Sequence, residues 1–193
     1  MQIPTRSLRR HERTTYALHL VSLDAKDRRL RFGLPRRDES LHDYVNGIDL
    51  QRDSVMCAYD DELVLVGAAH VARGTGYAEV GVSVLAGHRG RGIGSALLER
   101  SRLHARNWGV SEFFTHCAAD NVAMTHLARK HGMRVVVDRG EADAYAAVPA
   151  PDAASLAAEL IAERVGVADY AMKAQMLQAS RMTNALQPFY ALE

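Results

Sequence analysis

Cysteine is nearly absent from this chain: Cys57 and Cys117 are the only two in 193 residues, far apart and without metal-ligand spacing. That excludes a disulfide framework and makes a reduced, cytoplasmic setting the expectation. Histidine is commoner, but His126 and His131 lie five apart rather than at the i, i+4 spacing of a metal helix, so no metal is expected. An excess of charge of one sign is also missing. The formal net charge is +1, which argues against nucleic acid as the main partner. No apolar run reaches the roughly 18 to 20 residues that span a bilayer, so no membrane association is expected. The start of the chain carries Arg6, Arg9, Arg10 and Arg13, but Glu12 interrupts it and no apolar core follows. This reads as a frayed basic terminus and not as a secretory signal. Lysine is scarce, with 3 against 21 arginines, a skew of composition without a functional reading.

Apolar side chains are in ordinary globular supply, 48% of the sequence beside 24% charged, enough for one well-buried core and an appendage. Pro149-Ala150-Pro151-Asp152 is the clearest boundary. It separates a main domain, residues 1–148, from a Pro/Ala linker and helical appendage, residues 149–193. In the appendage Leu156, Leu160, Ile161, Val167, Tyr170 and Leu177 suggest one or two amphipathic helices, interrupted near Gly166. That face packs on the core or on a second copy, so a homodimer through the C-terminal helices is one expectation, with a loosely attached tail as the other outcome.

Within the main domain, residues 14 to 48 read as two short helices around Gly33 and Pro35, the second capped by Asp38-Glu39-Ser40. Ser54–Tyr59 and Leu63–Val71 form an antiparallel hairpin about Asp60-Asp61-Glu62, and Tyr77–Val84 is the third strand. A helix over Gly92–Trp108 leads to a strand at Glu112–Cys117. Asp120-Asn121 then caps a helix through Lys130, and Met133–Val137 with Ala142–Val148 closes the domain as a hairpin. A helix between two strands of one sheet makes those strands parallel. The fold class is therefore mixed α/β (α+β): a mostly antiparallel sheet with a central parallel pair, flanked by helices.

The densest chemistry lies at that crossover. The strand Val80-Gly81-Val82-Ser83-Val84 is followed by Arg89-Gly90-Arg91-Gly92-Ile93-Gly94 and then by the helix-like run Ser95-Ala96-Leu97-Leu98-Glu99-Arg100. A glycine-rich turn opening onto a helix gathers free N–H groups and the positive helix end at one point, which is an anion site. Glycines admit positive φ and leave room for a phosphate. The spacing is neither that of a dinucleotide-binding turn nor that of a nucleotide-triphosphate loop.

The run fits Arg/Gln-x-x-Gly-x-Gly/Ala at Arg89, Gly92 and Gly94, and here the sequence resembles the GNAT (GCN5-related N-acetyltransferase) superfamily. A second stretch, Asn121-Val122-Ala123-Met124-Thr125-His126-Leu127-Ala128-Arg129-Lys130-His131-Gly132-Met133, resembles the Asn-x-x-Ala-x-x-Leu-Tyr-x-x-x-Gly-Phe helix of that superfamily. The resemblance covers roughly residues 52 to 148. The Ala-Arg-Lys-x-Gly form, with Glu79 ten residues before Arg89, is similar to the acetyltransferase module of bacterial Pat-type protein lysine acetyltransferases. The resemblance implies a GNAT-like acyltransferase fold with acetyl-CoA as co-substrate. Arg89, Gly90, Arg91, Gly92, Ile93, Gly94 and Ser95 would cradle its pyrophosphate, and Asn121 would meet the pantetheine arm or orient near the thioester. The backbone of Val82, Ser83 and Val84 would pair with the pantetheine amides as an added strand does. By itself Asn121 reads as a helix cap. Where many members carry a tyrosine that protonates the departing thiolate, this chain has Ala128, and Met133 replaces the usual phenylalanine.

Acetylation of an amine needs the neutral amine, so a proton acceptor is required. In the strand Tyr77–Val84 the valines share one face, which places Glu79, Gly81 and Ser83 on the other and makes Glu79 the first candidate base. A solvated strand glutamate is the other reading. His116, at the end of the adjacent parallel strand, is an alternative base or a substrate contact. The chain reads as an acetyl-CoA-dependent N-acetyltransferase acting on a primary amine, either a small molecule or a protein lysine, by direct attack. The reading from another class is a non-catalytic acyl-CoA sensor or regulatory module.

Overall fold

The computed structural model describes residues 3–190, with side chains through residue 183, so the last three residues of the appendage lie outside the described part. Seven strands form one sheet. In chain order they are β1 (Arg6–Ser7), β2 (Ser54–Tyr59), β3 (Leu65–Arg73), β4 (Tyr77–Val84), β5 (Glu112–Ala118), β6 (Arg134–Asp138) and β7 (Glu141–Ala147). Their spatial order is β1-β2-β3-β4-β5-β7-β6. Every neighbouring pair is antiparallel except β4 and β5, which run parallel as the crossover predicted.

The helices are α1 (Arg13–Val21), α2 (Ala25–Phe32), α3 (Asp38–Gly47), α4 (Ile93–Asn107), α5 (Val122–Lys130) and α6 (Ala153–Tyr190). Strand alternation feeds two cores. In β2, Val55 and Cys57 point to one face, where they meet Tyr16, Leu20, Leu41 and Val45 from α1 and α3. Met56 and Ala58 point to the other, against Leu97 and Leu98 of α4 and Ala128 of α5. Burial on both faces explains why β2 and β3 read as continuous apolar runs.

Four expectations are corrected. The segment 14–48 holds three helices, because Asp24 accepts a hydrogen bond from the Asp27 amide at 2.7 Å and so caps a separate α2, which Gly33 ends at φ +75°. The N-cap of α3 is Arg37, with Asp38 and Glu39 in its first turn, favourable to the helix dipole. The N-terminus is not frayed: Arg6 and Ser7 pair with Cys57 and Met56, and Arg6 is buried, salt-bridged to Glu12 and stacked over the rings of Tyr59 and Tyr170. The appendage, finally, is one helix that runs on through Gly166.

Gly166 is a contact point and not a break. A Cβ there would fall 2.1 Å from the Thr5 carbonyl oxygen, so its absence lets α6 lie directly on β1. Glu163 accepts from the Ser7 amide and hydroxyl at 3.1 and 3.0 Å and pairs with buried Arg100 of α4 at 3.0 Å. The first half of α6 is thus docked on the main domain, while Leu156, Leu160 and Ile161 remain exposed. Among the described residues no helix is long and apolar enough to cross a membrane.

Candidate active site

The parallel pairing of β4 and β5 is short: it links Tyr77, Ala78 and Glu79 to Glu112, Phe113 and Phe114 and goes no further. Beyond Glu79 the two strands separate, and β4 is paired only to β3. A cavity of about 510 Å³ opens against this free edge. Its walls come from β4, from the loop entering α4, from α2 and from α5. Of the eleven positions read from sequence as cofactor-binding, all but Arg91 line it.

The loop is built as a donor nest. Gly90 and Gly92 have φ of +74° and +86°, where side chains other than glycine are strained. The Arg89 amide donates to the Ala86 carbonyl, and the helical ladder of α4 begins only with the Ala96 amide donating to Gly92. Among the described residues, the amides from Gly90 to Ser95 donate to no protein acceptor. Several free N–H groups at a helix start on a cavity wall constitute a site for an anion. At Gly94 an added Cβ would make only ordinary contact, 3.5 Å from Leu127.

The polar side chains around the nest are partly occupied. Arg89 donates to the Val84 carbonyl at 3.2 Å and forms an ion pair with Asp27 of α2, which braces the loop against α2. Arg91 is exposed. Asn121 accepts from the Met124 amide at 3.0 Å, which caps α5, and donates to the Leu30 carbonyl at 3.2 Å. Ala128 is fully buried in the core, so that position brings no hydroxyl to the cavity.

Glu79 and His116 lie outside the cavity lining. Glu79 is exposed at the last parallel rung. His116 stands opposite Asp143 of β7, with Nδ1 2.7 Å from an Asp143 oxygen and Nε2 3.7 Å from Glu141. Its pKa is raised, chiefly by the hydrogen bond to Asp143, with smaller contributions from the charges of Asp143, Glu141 and Glu79.

The face of β4 turned to α1, α2 and α3 holds polar residues that sequence reasoning missed. His19 of α1 lies with Nδ1 2.8 Å from the Leu65 carbonyl and Nε2 2.8 Å from the Ser83 hydroxyl. A carbonyl only accepts, so Nδ1 carries the proton and Ser83 donates to Nε2. Burial pushes the His19 pKa down to about 4 against the Leu65 contact, which leaves the ring neutral. Arg31 of α2 donates to the Tyr44 hydroxyl at 3.3 Å. Tyr44 in turn lies 2.6 Å from His70 Nδ1, and His70 Nε2 lies 3.3 Å from Asp53. Burial and the charge of Arg31 hold His70 down to about 4, against the pull of Asp53. The one sequence signal for this cluster was Gly81 in a strand of valines, since glycine inside a strand marks close approach. A Cβ at Gly81 would fall 2.1 Å from the Arg31 guanidinium carbon.

A strand pair that parts over a cavity, with a free-amide turn leading into a helix, is the arrangement that this mixed α/β fold presents. The sequence matches the model of the acetyltransferase (GNAT) family over residues 19–133, more than half of its length, and the chain belongs to that family of acyltransferases. No curated protein matches the sequence. Among solved structures, the GNAT domain of PAT from S. lividans is similar with a TM-score of 0.65 at 19% identity, covering 75% of this chain and 89% of that one. A GNAT superfamily phosphinothricin acetyltransferase from Sinorhizobium meliloti, in complex with AcCoA, gives 0.59 at 15%, covering 77% and 89%. RimL, a ribosomal L7/L12 alpha-N-protein acetyltransferase in complex with coenzyme A, gives 0.61 at 15%, covering 76% and 94%. At these identities the likeness is one of fold.

Proposed function

We propose that this chain is an acetyl-CoA-dependent N-acetyltransferase that moves an acetyl group to a primary amine by direct attack. The observation that carries the reading is the row of unclaimed amides from Gly90 to Ser95 on the cavity wall. The residues present fit the co-substrate: a diphosphate satisfies these donors, Gly90 and Gly92 keep side chains out of its way, and the free edge of β4 from Val82 to Val84 can take the pantetheine amides as an added strand. Asn121 keeps one N–H for the same arm after its two contacts within the protein. When bound, acetyl-CoA supplies an acyl group activated as a thioester.

The remaining work falls to the chain. Holding an amine against the bound acyl group removes much of the entropic barrier. In this reading Glu79 takes the ammonium proton and passes it to the solvent that reaches it, with His116 as a neighbouring contact. Ala128 brings no acid to the leaving thiol. A thiol with a pKa of about 8.5 departs as the thiolate and is protonated by water.

The reading is tested by steady release of CoA thiol from acetyl-CoA in the presence of a panel of amines and lysine-bearing proteins. Release that depends on an acceptor is expected. Binding of acetyl-CoA without release for any acceptor would instead mark a non-catalytic acyl-CoA sensor, and no thermal stabilisation by acetyl-CoA would remove both readings.

A further inference from the structure

Arg31 is a half-buried cation without an anion. Among the described residues it forms no salt bridge, its one hydrogen bond is the 3.3 Å contact to Tyr44, and its Nε is buried with no partner. The fully buried Tyr16 hydroxyl makes no hydrogen bond of good geometry, and the group it faces closely enough to influence is Arg31. Burial works against the guanidinium charge, and the facing Tyr44 and Tyr16 hydroxyls outweigh it, so Arg31 stays protonated. Among the described residues the one carboxylate linked to it by hydrogen bonds, Asp53, is reached through two neutral groups, Tyr44 and His70. The buried arginines of the main domain are treated differently. Arg6 is paired with Glu12, and Arg100 with Glu159 and Glu163. A buried charge left unpaired is strongly unfavourable, and a guanidinium has five N–H donors to place.

The surface that Arg31 leaves open faces the cavity it lines together with the glycine-rich turn. The two lie at different ends of the same strand segment. The turn follows Val84, whereas Arg31 rests on Gly81, three residues back and about 10 Å along β4. If the diphosphate sits on the turn, Arg31 is at the acyl end, where the acceptor enters.

We propose that the acceptor is a small amine that also carries a carboxylate, and that Arg31 binds this carboxylate. The inference rests on the transferase reading and narrows its acceptor. A planar carboxylate matches the guanidinium fork with two parallel hydrogen bonds, which gives orientation as well as attraction. Asp27, the carboxylate in the cavity lining, is held by Arg89, so the acceptor's carboxylate supplies the negative partner that Arg31 itself lacks. A polyamine would bring further positive charge against Arg31, and a protein lysine carries no carboxylate near its amine, so both are disfavoured by the same charge.

The test is calorimetric binding of each common amino acid, and of its decarboxylated amine, to the CoA-loaded protein and its Arg31→Met and Arg31→Lys variants. Methionine keeps the apolar stem and removes an unpaired, half-buried charge, so the fold tolerates it. At least one amino acid is expected to bind about 30-fold or more tightly than its decarboxylated partner. That preference disappears in Arg31→Met and is kept in part by Arg31→Lys, while affinity for CoA is unchanged. The proposal is overturned if no amino acid binds, if the decarboxylated amines bind equally well, or if Arg31→Met weakens CoA itself. Thiol release is read separately. Arg31-dependent amino acid binding without acetyl transfer would end the transferase reading and leave the carboxylate site standing.

Discussion

Acidification should weaken this fold through its two depressed histidines, His19 and His70, and the contribution of His19 can be isolated by substitution. In the native state its Nδ1 proton is committed to the Leu65 carbonyl and its Nε2 lone pair to the Ser83 hydroxyl, and burial holds the ring neutral down to about pH 4. In the unfolded chain the ring titrates at its ordinary value of about 6.5. The unfolded state therefore binds the extra proton first. The contribution of His19 is complete above about pH 6.5 and is lost as pH falls toward about 4, below which it changes no further. A difference of roughly 2.5 pK units at about 1.4 kcal/mol per unit gives about 3 kcal/mol, a large part of the stability of a domain this size. Glutamine at this position can donate to Leu65 and accept from Ser83 without titrating. Urea unfolding of wild type and His19→Gln at pH 7 and near pH 4, followed by circular dichroism, isolates the effect. The variant should lose about 3 kcal/mol less than wild type over that interval. Equal losses in the two proteins would refute the assignment of a neutral, doubly bonded His19.

Three further outcomes follow from the geometry. Asp27→Asn removes the anion that occupies Arg89 beside the glycine-rich turn. It should tighten acetyl-CoA binding about threefold to tenfold at low salt, with the gain shrinking at high salt, and isothermal titration at two ionic strengths checks this. Glu79→Gln should leave acetyl-CoA affinity unchanged and lower kcat about 100-fold while altering its pH profile; unaltered turnover removes Glu79 from the mechanism. Gly166→Val drives side-chain atoms into the Thr5 carbonyl and lifts α6 from β1. It should cost about 2 to 4 kcal/mol in urea unfolding, and a loss under about 0.5 kcal/mol would show that α6 does not need that contact.

The sheet was legible where side-chain period and local chemistry agreed. Tyr77–Val84 alternates, the turn after it is glycine-rich, and the next helix carries its apolar residues at helical spacing, so strand, nest and α4 could be read from neighbours in sequence. That the turn lines a cavity was legible for the same reason, because its free amides are placed by Gly90 and Gly92. Arg31, Tyr44, His70 and His19 were not. They come from four different elements, and each looks ordinary alone; only the packing of α1, α2 and α3 on the sheet brings them to one face of β4. Arg6 misled because its charge is cancelled by Glu12 and two aromatic rings that sequence does not place beside it. Gly166 misled because a glycine that breaks a helix and one that admits a close neighbour have the same letter.

The central claim is that main-chain amides from Gly90 to Ser95 hold the diphosphate of the co-substrate. Titration of ¹⁵N-labelled protein with CoA, with pantetheine lacking the diphosphate as the control, tests it at the atoms concerned. The amide resonances of Gly90, Gly92 and Gly94 should move downfield with CoA and stay in place with pantetheine. Binding of CoA that leaves those resonances unmoved would contradict the account.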